Sequence, residues 1–114
     1  MAQLLRGEVW WVNFDPSLGG EMHKTRPAVI VSNNASNRAL NRLQVVPITS
    51  RTGRVYPCEE IVLLNNEVRK AMADQFATVS KLRLGARLGV LSESDLRLVE
   101  NAIRVQRGLG ADGS

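Results

Sequence analysis

The sequence predicts a mainly β, α+β domain: a small, strongly curved antiparallel sheet, barrel-like, with one C-terminal helix. Three observations predict it. Short runs rich in β-branched and aromatic residues recur between turn signals from Glu8 to Lys81. Only the segment after Ser92 repeats apolar residues near a 3.6 period. The 114 residues suffice for one hydrophobic core and leave no room for a second.

The first strand covers Glu8 to Phe14 (Glu-Val-Trp-Trp-Val-Asn-Phe) and stops at Asp15-Pro16. Ser17 to Thr25, with Gly19-Gly20 and then Glu21-Met22-His23-Lys24-Thr25, has no apolar period and reads as a loop. Arg26-Pro27 leads into the second strand, Ala28 to Ser32, where a proline at the start removes no needed ladder donor. Asn33-Asn34 ends it. Leu43 to Thr49 is a third strand, although Pro47 inside it predicts an edge position or a bulge. Arg51 to Pro57 is a loop by composition, Glu59 to Leu64 a fourth strand, and Asn65-Asn66 its end. Asp74 to Lys81 is a weakly patterned fifth strand, with Phe76, Thr78 and Ser80 on one parity against Ala77 and Val79, and Gly85 and Gly89 break the chain after it.

Ser92, with Asp95 three residues on, starts the helix in the manner of a capping box. Leu96, Val99, Ala102, Ile103 and Val105 form its apolar stripe, and Gly108 or Gly110 supplies the stop. Residues 1–110 are expected to form the single domain and 111–114 a flexible tail. A sheet this small leaves edges, so a homodimer is the natural expectation.

Composition narrows the function. No apolar run approaches the roughly 18 residues of a membrane span, and the first residues lack the charged and apolar regions of a signal peptide, so the expectation is a cytoplasmic protein that does not engage a membrane. Cys58 is the only cysteine and has no Cys/His companions, so neither an intrachain disulfide nor a zinc site is expected, and the thiol reads as passive. The net charge of +4 favours an anionic partner.

Signatures of phosphate loops, metal clusters and serine elbows are missing. What remains is a polar cluster on loops and strand ends: Glu21, His23, Lys24 and Arg26 in one segment, Thr49, Ser50 and Arg51 in another. An arginine presents five donors in a permanently charged fork, and a threonine hydroxyl adds one more, which suits a phosphate. The residues alone favour plainer roles: Arg26 tying down its loop through carbonyls or Glu21, Thr49 as an ordinary strand residue, and His23 solvated.

Taken in order, the segments resemble the MazF, PemK and Kid family of bacterial toxins from Arg6 to about Leu109. The marks are Arg6-Gly7-Glu8-Val9-Trp10, Asp15-Pro16, Gly20-Glu21 ahead of Arg26-Pro27-Ala28-Val29-Ile30-Val31-Ser32, then Val46-Pro47-Ile48-Thr49-Ser50, Tyr56-Pro57 and Ala73-Asp74-Gln75. The resemblance implies a dimeric, SH3-like antiparallel barrel with a terminal helix. It implies the toxin of a type II toxin–antitoxin system: a sequence-specific, metal-independent endoribonuclease without cofactors. Such a toxin cuts single-stranded RNA to 2′,3′-cyclic phosphate and 5′-hydroxyl ends, and is held by a cognate MazE-like antitoxin. The family's catalytic arginine falls on Arg26 and its threonine on Thr49, with Glu21, Asp74 and Gln75 as polar companions.

Kid-type members carry a histidine directly before the acid and an Arg-x-Asp before the glutamine. Gly20 and Met72 stand there in this chain, so the MazF branch fits better, and His23 is left as an RNA-contact candidate. The expected RNA groove adds Lys24, Arg51, Arg54 and Lys81, with Phe14 and Tyr56 as stacking surfaces and Ser50 beside Thr49. Two rivals remain: a gyrase poison of the CcdB kind, which shares the fold and cuts nothing, and an RNA-binding barrel without catalysis. The RNA class, the cleavage motif and the general base stay open.

Overall fold

The structure, a computed structural model, describes residues 3–14 and 25–109. Of the loop read over Ser17 to Thr25, residues 17–24 lie outside the described residues, as does the tail 111–114, while Thr25 belongs to the second strand. The elements are β1 (Glu8–Asn13), β2 (Thr25–Ile30), α1 (Asn34–Ala39), β3 (Arg42–Thr49), β4 (Glu59–Leu64), β5 (Glu67–Met72), β6 (Ala77–Ser80), β7 (Leu84–Val90) and α2 (Glu93–Gln106), with single 3-10 turns at Ala73–Gln75 and Lys81–Arg83. All recorded strand pairs are antiparallel, in the order β4-β5-β3-β2-β1-β7 with β6 also on β3. The sheet curls into a half-barrel, and α2 packs against β4 and the turn at Ala73–Gln75.

Seven strands replace the five expected. β5 went unread because Glu67, Arg69 and Lys70 dilute its pattern, although Asn65 and Asn66, with φ of 52° and 65°, make the tight turn that links it to β4. Two residues at positive φ are what a primed hairpin turn requires, and asparagine tolerates that conformation. β7 was hidden by Gly85 and Gly89. At Gly89 a Cβ would lie 2.8 Å from the Asn65 Oδ1, so the glycine permits the close crossing of β7 over the β4–β5 turn. The predicted fifth strand shrinks to β6 between its two turns, and α1 had no sequence signal beyond the Asn33 cap, whose side chain accepts from the Ser36 N–H.

Pro47 does not mark an edge. Its strand is the hub of the sheet, pairing with β2 on one side and with β6, then β5, on the other. The Gln44 carbonyl accepts from the Val31 N–H on the β2 side. Backbone groups alternate sides along a strand, so Pro47 turns its missing N–H to the opposite side. There β6 pairing ends at Val45 and β5 pairing begins at Ile48, so the proline fills the gap between two ladders and no bond is lost.

Both faces of β2 and β3 are covered, which explains their unbroken apolar runs. Val29, Val46 and Ile48 join Val62, Leu64, Leu96 and Val99 beneath α2, while Ala28, Ile30 and Val45 join Val12, Leu43 and Val79 on the other face. Burying each valine or leucine fully contributes about 1.5–3 kcal/mol, so these two small clusters dominate stability. The α2 cap forms as expected, with Ser92 Oγ accepting from the Asp95 N–H at 3.1 Å. The box is not reciprocal, because Asp95 Oδ2 accepts from the Leu63 N–H at 2.8 Å and ties the helix to β4. At the other end Gly108, at φ 76°, closes the helix: its N–H reaches the Val105 carbonyl and that of Leu109 the Arg104 carbonyl.

Candidate active site

Ala28 lies opposite Pro47, and carrying that register on by two residues sets Arg26 across from Thr49; the β3–β5 register sets Thr49 across from Lys70. Opposed residues of antiparallel strands share a face. Arg26, Thr49 and Lys70 thus form one row across three strands, and they line an open cleft of about 490 Å³ together with Pro27, Ile48, Ser50, Arg51 and Met72. An adjoining pocket of about 200 Å³ is lined by Phe14, Arg26, Pro47 and Gln75, so Arg26 stands on the wall between the two.

Arg26 is exposed, and among the described residues its guanidinium forms no hydrogen bond or ion pair. Its donors are available to a ligand. Thr49 Oγ1 accepts from the Arg51 N–H at 3.1 Å, which leaves the threonine O–H as a donor and turns the chain out of β3 so that Ser50 and Arg51 are exposed beside it. Among the described residues Arg51 also has no partner for its side chain. Two unpaired guanidinium groups and a free hydroxyl donor at one cleft can hold a phosphate and neutralise additional charge on it.

The loop between β3 and β4 rises beside this row. Arg54 lies over the Tyr56 ring at 5.4 Å from its centre and donates to the Tyr56 hydroxyl at 3.2 Å, making an exposed, flat and cationic surface. Lys70, which sequence reasoning missed, sits under the loop and is only 8% exposed. Its Nζ donates to the Arg54 carbonyl at 2.7 Å and pairs with Glu59 Oε1 at 3.1 Å. The same Glu59 oxygen accepts from the Tyr56 N–H at 2.9 Å. Burial pushes the Glu59 carboxyl up, but the Tyr56 N–H and the Lys70 ammonium outweigh it and hold it below the ordinary range. Recognising the Asn65-Asn66 hairpin turn would have exposed β5 and with it Lys70.

Not every predicted residue meets the others. Gln75 reaches the second pocket and its amide lies 3.6 Å from Met72 Sδ, while Asp74, in the same 3-10 turn, is exposed. Lys81 lies at the opposite end of β3, where its Nζ donates to the Asn37 carbonyl, so it is separated from Thr49 by about seven residues, roughly 23 Å of strand. Glu21, His23 and Lys24 fall outside the described residues. Cys58 is half-buried, and burial, helped by Asp74 and Glu59, pushes its thiol up and keeps it protonated. Among the described residues no three His, Cys, Asp or Glu side chains gather as a metal would require.

A curled antiparallel half-barrel with one C-terminal helix and a cationic cleft at the mouth of its central strands defines a small class of β-fold proteins equipped for an anionic ligand. The model of the PemK-like, MazF-like toxins of type II toxin–antitoxin systems matches residues 5–106, and the chain belongs to that family. It is similar to endoribonuclease MazF9 of Mycobacterium tuberculosis, at 36% identity over 91% of this chain and 96% of the relative. The endoribonuclease toxin MazF of Escherichia coli K12 is 31% identical over 90% of this chain and 92% of its own. Among solved structures, a mycobacterial endoribonuclease in complex with its cognate antitoxin superposes with a TM-score of 0.77 at 27% identity, covering 92% of this chain and 95% of that one. MazF of Deinococcus radiodurans also gives 0.77 at 27% identity, covering 95% and 99%.

Proposed function

We propose that this chain, an endoribonuclease toxin of a toxin–antitoxin system, cuts single-stranded RNA at specific sequences without a metal ion, using the ribose itself as nucleophile. The observation that carries the reading is the row Arg26–Thr49 at the open cleft, with the arginine fork unpaired among the described residues. The 2′-oxygen attacks the neighbouring phosphorus and gives up its proton. The bond from phosphorus to the 5′-oxygen breaks, and that oxygen takes a proton. The products are a 2′,3′-cyclic phosphate and a 5′-hydroxyl, and no water is consumed in the step.

Arg26 stabilises the added negative charge on the five-coordinate phosphorus and on the departing oxygen. Preorganised donors aimed at developing charge supply the largest share of catalysis in many enzymes. A guanidinium keeps its proton and is a poor base, so its role here is electrostatic. Thr49 holds the scissile phosphate through its free O–H, and Arg51 contributes a second positive charge. Phe14, Gln75, Arg54 and Tyr56 flank the cleft where neighbouring bases would lie, and aromatic faces stack bases irrespective of sequence.

The partners follow from the same reading: single-stranded RNA, a second copy of the chain, and a MazE-like antitoxin with an acidic segment that folds into the cationic cleft. The solved mycobacterial neighbour, which is in complex with its cognate antitoxin, supports the last of these. No described helix is long and apolar enough to cross a membrane. Cutting cellular RNA would place the toxin's action in the cytoplasm, where that RNA is. Incubating the protein with a long unstructured RNA in EDTA is the test. Discrete fragments ending in cyclic phosphate and 5′-hydroxyl groups are expected. Intact RNA, or cleavage only after a divalent metal is restored, would overturn the reading.

A further inference from the structure

We infer that Lys70 is a positioning residue that sets the seat of the β3–β4 loop over the cleft, and that through this loop it governs which bases are accepted beside the scissile phosphate. The inference rests on the nuclease reading above but concerns a residue that takes no part in the proposed reaction.

Lys70 stands directly across from Thr49 on β5, so its backbone is fixed relative to the phosphate-holding row by the sheet itself. Its side chain does not reach out as a free cation. It spends one N–H on the Arg54 carbonyl and another on Glu59, and Glu59 in turn holds the Tyr56 N–H through the same oxygen that meets Lys70. A second bond, from the Glu59 N–H to the Tyr56 carbonyl at 2.9 Å, closes the arrangement. The flat Arg54–Tyr56 surface is thereby held at Arg54 by Lys70, on the strand facing Thr49, and at Tyr56 by Glu59 of β4, which Lys70 pairs with.

The Lys70–Glu59 pair is buried and its charges compensate each other, so it adds little net potential at the phosphate. Its geometric effect is larger. Exposed loop residues have few contacts of their own: Arg54 and Tyr56 are both exposed, and beyond each other their recorded bonds run to Lys70 and Glu59. Removing the clamp would leave this surface free to move relative to Arg26 and Thr49. A base stacked on it would then no longer be held at a fixed distance from the cut. Discrimination between flanking bases, rather than the chemical step, is what the clamp controls.

The test uses the full chain with Lys70→Met, Lys70→Arg and the double variant Lys70→Met/Glu59→Gln, the last because Lys70→Met alone buries an unpaired carboxylate and can fail to fold. Amide hydrogen exchange without RNA should rise across residues 51–58 in both Met-containing variants while α2 keeps its protection, and Lys70→Arg should restore most of the loss. Short RNAs sharing one cleavable step and differing in a flanking base then give the ratio of kcat/KM values between preferred and altered sequences. That ratio should fall on the order of tenfold in the double variant, mainly through KM. Unchanged exchange in the loop, or an unchanged ratio, would overturn the inference, as would an equal fall in kcat on every RNA, which would make Lys70 a catalytic cation. Failure of the unmodified protein to cut any RNA would instead sink the nuclease reading, and the exchange result would still stand by itself.

Discussion

The two ends of β3 are both rich in polar groups, yet they are organised in opposite ways. At the Arg42 end, Lys81 donates to the Asn37 carbonyl, Asn37 donates to the Ser32 carbonyl, and Ser32 Oγ accepts from the Gln44 N–H. These groups satisfy one another beside a pocket of about 270 Å³ lined by Ser32, Asn33, Ser36, Leu40, Arg42, Leu43, Gln44 and Thr78. At the Thr49 end, Arg26 and Arg51 keep their donors unspent among the described residues, and the cleft between them is open. Polar residues that use up their hydrogen bonds locally hold the fold. Those left facing a cleft are the ones a ligand can use.

Substitutions at the two ends should separate these roles. The largest effect belongs to Arg26→Ala, which should lower the cleavage rate on the order of 10²–10³ while leaving the melting temperature nearly unchanged, since among the described residues the side chain makes no hydrogen bond or ion pair. A folded Arg26→Ala protein that cuts at full rate would erase the distinction drawn between the ends. Lys81→Met should do the reverse. It strips the Asn37 carbonyl of its donor, at about 1–3 kcal/mol of stability, roughly 4 °C in melting temperature per kcal/mol, with cleavage altered less than about twofold. A large loss of activity there, with the melting point intact, would place Lys81 in the RNA path after all.

Thr49→Val keeps the shape of the strand and removes the hydroxyl. About tenfold lower cleavage is expected in a single-turnover assay, corresponding to one hydrogen bond of about 1.4 kcal/mol. The smallest effect concerns acid. Glu59 is held below its ordinary range when folded, so the stability it adds is fully present above the ordinary carboxylate value of 4.5 and fades as the pH falls through the folded value. The urea midpoint of the unmodified protein should exceed that of Glu59→Gln at pH 7, and the gap should narrow at pH 3. An equal gap at both pH values would mean that the carboxylate charge contributes nothing.

Much of this molecule was readable from residue order. The class of fold, the strands β1 to β4, and the helix between its Ser92 cap and its Gly108 stop follow from local periodicity and capping chemistry, which act within a few residues. Arg26 and Thr49 were also marked, because the motifs that hold them are contiguous and resemble a family. Tertiary structure alone decided the rest. β5 and β7 exist because neighbouring strands complete their ladders, despite charge and glycine in their sequences. Pro47 is harmless because two different strands meet at the one position where it lacks a donor. The parting of Lys70 from Lys81, one buried beneath the cleft loop and the other bonded at the far end of β3, depends on partners 16 and 44 residues away. A lysine's neighbours in sequence carry no record of such partners; only the folded sheet brings them together.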